Sequence, residues 1–278
     1  MNFLCFFPFT KKPDSSKGAE ASPSMEEGEA CDDCECEIAR LPEELLSAAI
    51  SLTAPRDAFR AAAVSRAFRA AADSDAVWAS FLPRDLPDLA DGELSPAPPS
   101  KKDLFLRLSA GHYHLLPDRL KSMWLDREKG AKCYMLSARA LQISWGDSPQ
   151  YWSWIPLADS RFKEGAELLS VCWLEIRGKL PGKKLSQNTN YAAYLVYKIA
   201  DRSYGLDFPF QEASVSIGGS ITARQKRTDE WMELEMGEFI NEEGEDGEVC
   251  FSLMETKGGN WKRGLIVQGI EIRLKKSG

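Results

Sequence analysis

Histidine is scarce in this chain, with two copies in 278 residues. Several signatures of catalysis are missing as well. There is no G-x-S-x-G turn for a serine nucleophile and no H-E-x-x-H helix for a hydrolytic metal. No G-x-x-x-x-G-K-[ST] or G-x-G-x-x-G loop is present to cradle phosphates. Apolar runs stop short of the ~20 residues that a transmembrane helix needs, so no membrane span is expected. Basic residues are in deficit, and the formal net charge of −7 argues against a nucleic-acid partner. No secretory leader is expected either. The apolar stretch Met1–Phe9 has no basic opening, is broken by Pro8 and is followed by no small-residue cleavage site. It reads as a greasy, disordered tip, with Asn2 where myristoylation requires glycine. The seven cysteines are an odd number, which speaks against a fully paired disulfide framework and for thiols in a reducing compartment.

What is present is enough for a core: 44% hydrophobic and 28% charged residues, an ordinary globular balance. Residues 1–37 are the exception, since 10–37 are rich in Ser, Glu and Asp and read as a disordered extension. From 38 to 86 the chain is Ala-rich, lacks glycine and carries helical periodicity. Leu41, Leu45, Leu46, Ala49 and Ile50 mark one helical face, with Pro42 at the first turn. Further helices begin at Pro55 and near Val64, and Val77, Trp78, Phe81 and Leu82 point inwards from a fourth segment. Three or four short helices cannot bury much alone, so this module is expected to lean on a partner. Residues 87–103 have the Pro, Ser and Asp content of a linker. After a short helix near Leu104–Leu108, alternation takes over and runs through residues 139–145, 172–180, 191–199, 232–236, 248–255 and 270–275. Repeated strands without interleaved helices predict an antiparallel sandwich for residues 104–278. The fold class is therefore α+β. The acidic run Asn241–Glu248 reads as a hairpin loop.

Candidate chemistry is thin. Cys31, Cys34 and Cys36 give only three clustered sulfurs among acidic neighbours, short of a tetrahedral zinc set. His112 and His114 share one face of an extended segment but lack further ligands, so no metal and no cofactor are expected. Carboxylates abound, yet nothing singles out a glycosidase pair. The aromatic residues say more. Trp145, Trp152 and Trp154 cluster with Tyr151 around a loop holding Asp147, Ser148 and Gln150. Such indoles are either core, as large aromatics usually are, or a platform for the apolar face of a sugar ring. Both readings stand at this point. Arg224–Arg227 is a weak basic run, read as a solvated loop.

Two resemblances cover roughly residues 38–276. Leu41-Pro42, the apolar face to Ile50, Pro55-Arg56-Asp57, Val64-Ser65-x-x-Phe68 and Asp75-x-Val77-Trp78 resemble an F-box. The phrases KCYMLSAR (132–139), ISWGDSPQYW (143–152), CWLEIRGKL (172–180), NTNYAAYLVYK (188–198), WMELEMGEF (231–239) and GLIVQGIEIRLK (264–275) resemble the plant phloem protein 2, or Nictaba-type lectin, family. The combination is similar to its F-box members of the B type. The resemblance implies a jelly-roll-like lectin sandwich and an F-box that docks on a Skp-type adaptor and its Cullin scaffold through Leu41, Pro42, Leu45, Leu46 and Ile50. It implies carbohydrate binding by Trp145 and Trp152, which match two tryptophans seven residues apart in the tobacco lectin. The ligand would be a glycan or glycoprotein, N-acetylglucosamine oligomers or N-glycan cores being favoured in the family. On this basis the chain is expected to be a non-catalytic receptor of a ubiquitin ligase in the nucleus and cytoplasm. The alternatives are a stress or phloem lectin working without the ligase, and a receptor for protein alone. One departure is Ala54, where many relatives have serine to cap the second helix. Thr53 offers a substitute cap by a shift of one residue.

Overall fold

The computed structural model describes residues 38, 41–111, 113–206, 212–215, 222–226, 231–243 and 247–275. The N-terminal extension, with Cys5 and the cluster of Cys31, Cys34 and Cys36, lies outside them, as does His112.

Four short helices open the described chain: α1 (Glu43–Ser51), α2 (Pro55–Ala61), α3 (Arg66–Asp73) and α4 (Asp75–Phe81). Pro55 opens α2, where its missing N–H costs nothing, and the Ser65 hydroxyl caps α3 by accepting from the Phe68 amide. The core of this module is made of small groups, Ala58, Ala71 and Ala72, closed by Leu46, Ile50, Val77 and Trp78. The Trp78 indole N–H is satisfied by the Ala72 carbonyl at 2.7 Å.

Segment 87–103 was expected to carry few contacts, and the structure shows otherwise. Ala90 donates its amide to the Leu115 carbonyl, Glu93 pairs with Arg161 at 2.6 Å and Asp88–Asp91 help wall a cleft. Its end is helical: α5 (Lys101–Leu108) starts inside it, capped by Ser100. Phe105 of α5 packs 5.1 Å from Trp78, so the helical module and the strands share one connected core. Prolines and charges misled the reading because Leu89, Ala90 and Leu94 of the segment, with Leu86 just before it, are the residues that dock.

Thirteen strands follow among the described residues, all paired antiparallel: β1 (His114–Leu115), β2 (Lys121–Leu125), β3 (Lys132–Ser137), β4 (Gln142–Ile143), β5 (Trp152–Pro156), β6 (Glu164–Leu168), β7 (Leu174–Pro181), β8 (Thr189–Tyr204), β9 (Glu212–Val215), β10 (Thr222–Lys226), β11 (Met232–Asn241), β12 (Glu248–Glu255) and β13 (Arg263–Leu274). One sheet runs β1-β2-β3-β13-β8-β11-β10, with β6 on β13 and β5 on β6; the other runs β4-β7-β12-β9. The predicted α+β class, a small helical module before an antiparallel sandwich, is what the structure shows. Between the sheets, Leu174, Ile176 and Leu180 of β7 meet residues such as Ile270 and Ile272 of β13. Gly178 sits at the closest approach, where a Cβ would lie 2.9 Å from Leu141 and 3.1 Å from Ile270.

Three strand readings change. Asn241–Glu248 joins β11 in one sheet to β12 in the other, so it is a crossover between layers and no hairpin. Residues 224–226 of the basic run belong to β10 at a sheet edge, and Arg227 lies outside the described residues. Glu233 and Glu271, read as outward charges, are buried with Arg273, which makes a two-pronged pair with Glu233 at 2.6 and 2.9 Å. The larger sheet is covered on its outer face too, by Ala90, Leu115, Phe162 and Trp231, so alternation there does not mark solvent.

Candidate functional site

Two surfaces stand out, one on the helices and one on the smaller sheet. On α1 the residues sort by helical spacing. Leu46 and Ile50 turn inwards and close the core of the module. Leu41, Pro42 and Leu45 are exposed, Leu45 to 55%, and so is Leu52, the residue that caps the end of the helix, to 88%. Positions 41, 45, 48 or 49, and 52 follow one stripe of a 3.6-residue helix. An exposed apolar stripe on so small a module is the kind of surface that marks interaction sites. Of the five residues expected to meet an adaptor, Leu41, Pro42 and Leu45 are exposed, and Leu46 and Ile50 are buried beneath them. Leu52 joins the stripe without having been singled out in the sequence; its i+7 spacing from Leu45 was the available signal.

The tryptophans separate in the same way. Trp145 stands in the turn after β4 with φ +64° and is 59% exposed. A bulky residue in the left-handed region is uncommon, and such strain is often kept where a side chain has work on the surface. Tyr151 lies beside it, ring centroids 6.0 Å apart. Trp152 is 2% exposed, in the first position of β5, and donates its indole N–H inwards to the Ser144 carbonyl at 3.1 Å. The two indoles therefore do not flank one cleft. β5 alternates, so its first residue faces the core that Trp145, in the turn, escapes.

The cleft beside the turn, of about 560 Å³, is lined by Arg139, Gln142, Asp147, Trp154, Glu175 and Arg177 among others. Trp154 is fixed by its indole N–H to the Gly146 carbonyl at 3.0 Å, and the Arg139 guanidinium covers its ring at 3.6 Å. Glu175 is the hub. It accepts from Ser144 at 2.8 Å and from Trp173 at 3.1 Å, and pairs with Arg177 at 2.5 Å. Those hydrogen bonds and the guanidinium hold its carboxyl below the usual carboxylate range. A glycosidase acid needs the opposite shift, so Glu175 is a fixed acceptor. Exposed donors and acceptors around an indole edge suit a neutral, hydroxyl-rich ligand. Arg139, Glu175 and Arg177 were visible in the sequence only as outward positions of alternating segments.

His114 is structural: buried, with one ring nitrogen 3.1 Å from the Arg107 carbonyl and the other 3.4 Å from Glu93. Among the described residues there is no group of three metal-ligating side chains, and no helix is long and apolar enough to cross a membrane.

The described chain is thus four helices with an exposed apolar stripe, joined to an antiparallel sandwich with a polar cleft. Comparison with known proteins agrees. An F-box-like family model matches residues 38–84, and one for phloem protein 2 matches residues 131–274. Three Arabidopsis thaliana relatives are similar over most of the chain. They are F-box protein PP2-B10 (43% identity, covering 84% of this chain and 93% of the relative), F-box protein PP2-B1 (38%, 85% and 90%) and F-box protein VBF (35%, 84% and 99%). The chain belongs to the phloem protein 2 family, among its F-box members. F-box proteins are generally substrate adaptors of ubiquitin ligases rather than enzymes, and the F-box implies a Skp-type partner in a Cullin complex.

Proposed function

We propose that this protein is the substrate-recognition subunit of a Skp–Cullin–F-box ubiquitin ligase, and that the cleft beside Trp145 holds a glycan on the target. The stripe of Leu41, Leu45 and Leu52 carries the first half of this reading, because nothing within the described residues covers it. It fits a helix-in-groove contact with the adaptor. Transfer chemistry then belongs to other subunits, and this chain raises the local concentration of the target. The second half rests on the exposed indole of Trp145, in the turn that borders the cleft lined by Gln142, Asp147 and Glu175. A pyranose stacks its C–H face on the indole and places hydroxyls on those groups. Trp152 takes part only by holding the Ser144 backbone in place.

Two experiments test the halves separately. Leu45→Asp should abolish co-purification with the adaptor and leave the melting temperature nearly unchanged, since Leu45 is already in water. Retained adaptor binding would remove the ligase reading. A glycan array, with chito-oligosaccharides included, should show binding that Trp145→Ala weakens about tenfold or more, the loss of an aromatic anchor. An array without a single hit would leave a receptor for protein alone.

A further inference from the structure

A second cleft lies where the helical module meets the sandwich, on residues that neither proposed surface uses. Its volume is about 550 Å³, and its walls come from three places: the end of α4 (Ser80–Pro83, Asp85), the β2–β3 turn (Lys129–Lys132) and the segment before β8 (Lys183, Leu185–Gln187, Thr189). In a chain of net charge −7 this cleft is basic. Lys129, Lys132 and Lys183 line it against a single carboxylate, Asp85, which leaves a surplus of two positive charges. Lys132 is unusual. Its side chain is 3% exposed, and the acid that balances it, at 2.5 Å, is 64% exposed on the other module. A buried ammonium with a solvent-facing counter-ion is poorly compensated, because water screens the partner and leaves the desolvated cation in place. The hydroxyls of Ser80, Ser186 and Thr189 and the Gln187 amide add neutral hydrogen-bonding groups to the same walls.

We propose that this junction is a binding site for a phosphate monoester dianion. The charge decides the class. A monoester carries between about one and a half and two negative charges at neutral pH and several strong acceptor oxygens, which match the surplus of two and the three ammonium groups. A monocarboxylate leaves one charge unbalanced. Bound there, the phosphate replaces or joins Asp85 at Lys132 and bridges the helical module to the β2–β3 turn. Occupancy therefore strengthens the attachment of the docking face to the sandwich.

The test uses the full chain, with inorganic phosphate and glycerol 3-phosphate as probes and sodium chloride of equal ionic strength as the control. Titration calorimetry and thermal melts are the readouts. Both probes should bind and raise the melting temperature, while chloride does neither. A response to glycerol 3-phosphate alone would support a site specific for esters; a response to inorganic phosphate alone would overturn the monoester assignment. Lys129→Gln and Lys183→Gln, both on the surface and harmless to folding, should each weaken binding about tenfold, the worth of one charge-assisted hydrogen bond. Asp85→Asn removes the competing carboxylate, so it should bind phosphate several-fold more tightly and melt lower than wild type only when phosphate is absent. No phosphate-specific response in wild type and Asp85→Asn, or binding unchanged by both lysine substitutions, would overturn the proposal.

Discussion

The helical module and the sandwich bury their apolar residues by different means. In the sandwich, β7, β12 and β13 each send every second residue into the space between two sheets, and large aliphatics fill it from both sides. The core is distributed, and a neighbouring strand covers most losses. In the helical module three of the eight buried hydrophobic residues, Ala58, Ala71 and Ala72, are alanine, which lets four short helices approach closely but buries little surface per residue. A single large group, Trp78, does most of the filling, ringed by Phe59, Phe81 and Phe105 within 5.1–5.6 Å. One of those three rings belongs to α5, beyond the module. Thus the module completes its core with a residue from outside it, while the apolar residues it does not need, Leu41, Leu45 and Leu52, are left facing outwards for a partner.

That contrast can be broken at its strongest points first. Trp152→Ala should cost about 3–5 kcal/mol, as large aromatic truncations in a closed core do. Trp145→Ala, seven residues away, should change the melting temperature little, because its ring is exposed. Equal losses from the two substitutions, measured by chemical denaturation, would contradict the opposite placement of the indoles. Phe105→Ala removes the outer member of the ring around Trp78 and should cost about 3 kcal/mol. The loss should fall mainly on the helices. Hydrogen exchange should show α1–α4 opening in the variant while the amides of β8 and β13 stay protected. Uniform loss of protection would instead mean that the shared core melts as one unit. The same logic bears on a fragment of residues 104–278. It keeps Phe105 but exposes it, so it should be less stable than the sandwich within the whole chain.

Much of this was legible in the sequence, for identifiable reasons. α1–α4 announce themselves by periodicity, by Pro55 and by the Ser65 cap. β7 reads cleanly because its outer face is in water, so alternation tracks burial. The reading failed where a third layer covers a surface. Glu233 and Glu271 look like solvent charges, yet both are buried and paired with Arg273, and Glu271 also accepts from the Tyr113 hydroxyl. Seven-residue spacing also could not tell Trp145 from Trp152. The deciding feature is a positive φ in the turn, a property of the backbone that sequence spacing does not carry. The cleft was half visible: Asp147 lay in the loop, while Arg139, Glu175 and Arg177 came to it from separate segments.

A smaller effect separates the polar cleft from the apolar core. Glu175 is bound more tightly as an anion in the folded protein than in the unfolded chain, through Ser144, Trp173 and Arg177. Its folded pKa is lowered, so its contribution is complete above the unfolded value of about 4.3 and fades as the pH falls through the folded value. Glu175→Gln should therefore be less stable than wild type at neutral pH by under ~1 kcal/mol, since the group is near the surface. The gap should close as the pH falls below the lowered folded value. A gap that persists in acid would show that shape, not charge, holds Glu175 in place.

A change of similar size is expected in the helical module, where local rules matter most because packing gives least. Two of its neighbouring helix starts are capped in the same way: the Ser65 hydroxyl accepts from the amide of Phe68 at 3.3 Å, and the Ser100 hydroxyl accepts from that of Asp103 at 3.0 Å. α2 has the same geometry without the cap. Ala54 is its N-cap, in extended conformation (φ −108°, ψ 158°), and makes no side-chain bond. Thr53 does not stand in for it, because its hydroxyl is turned back to the Ile50 carbonyl at 2.7 Å, at the end of α1. Ala54→Ser would place a hydroxyl three residues before the Asp57 amide, the spacing that works at α3 and α5, and would recreate the Ser-x-x-Asp pattern of residues 100–103. The expected gain is ~1 kcal/mol, or about 2–4 °C in melting temperature for a chain of this size. Adaptor binding should be unchanged or slightly stronger, since α1 packs on α3 and α4 and not on the new cap. A variant that melts no higher than wild type would mean that Pro55 alone already fixes the start of α2.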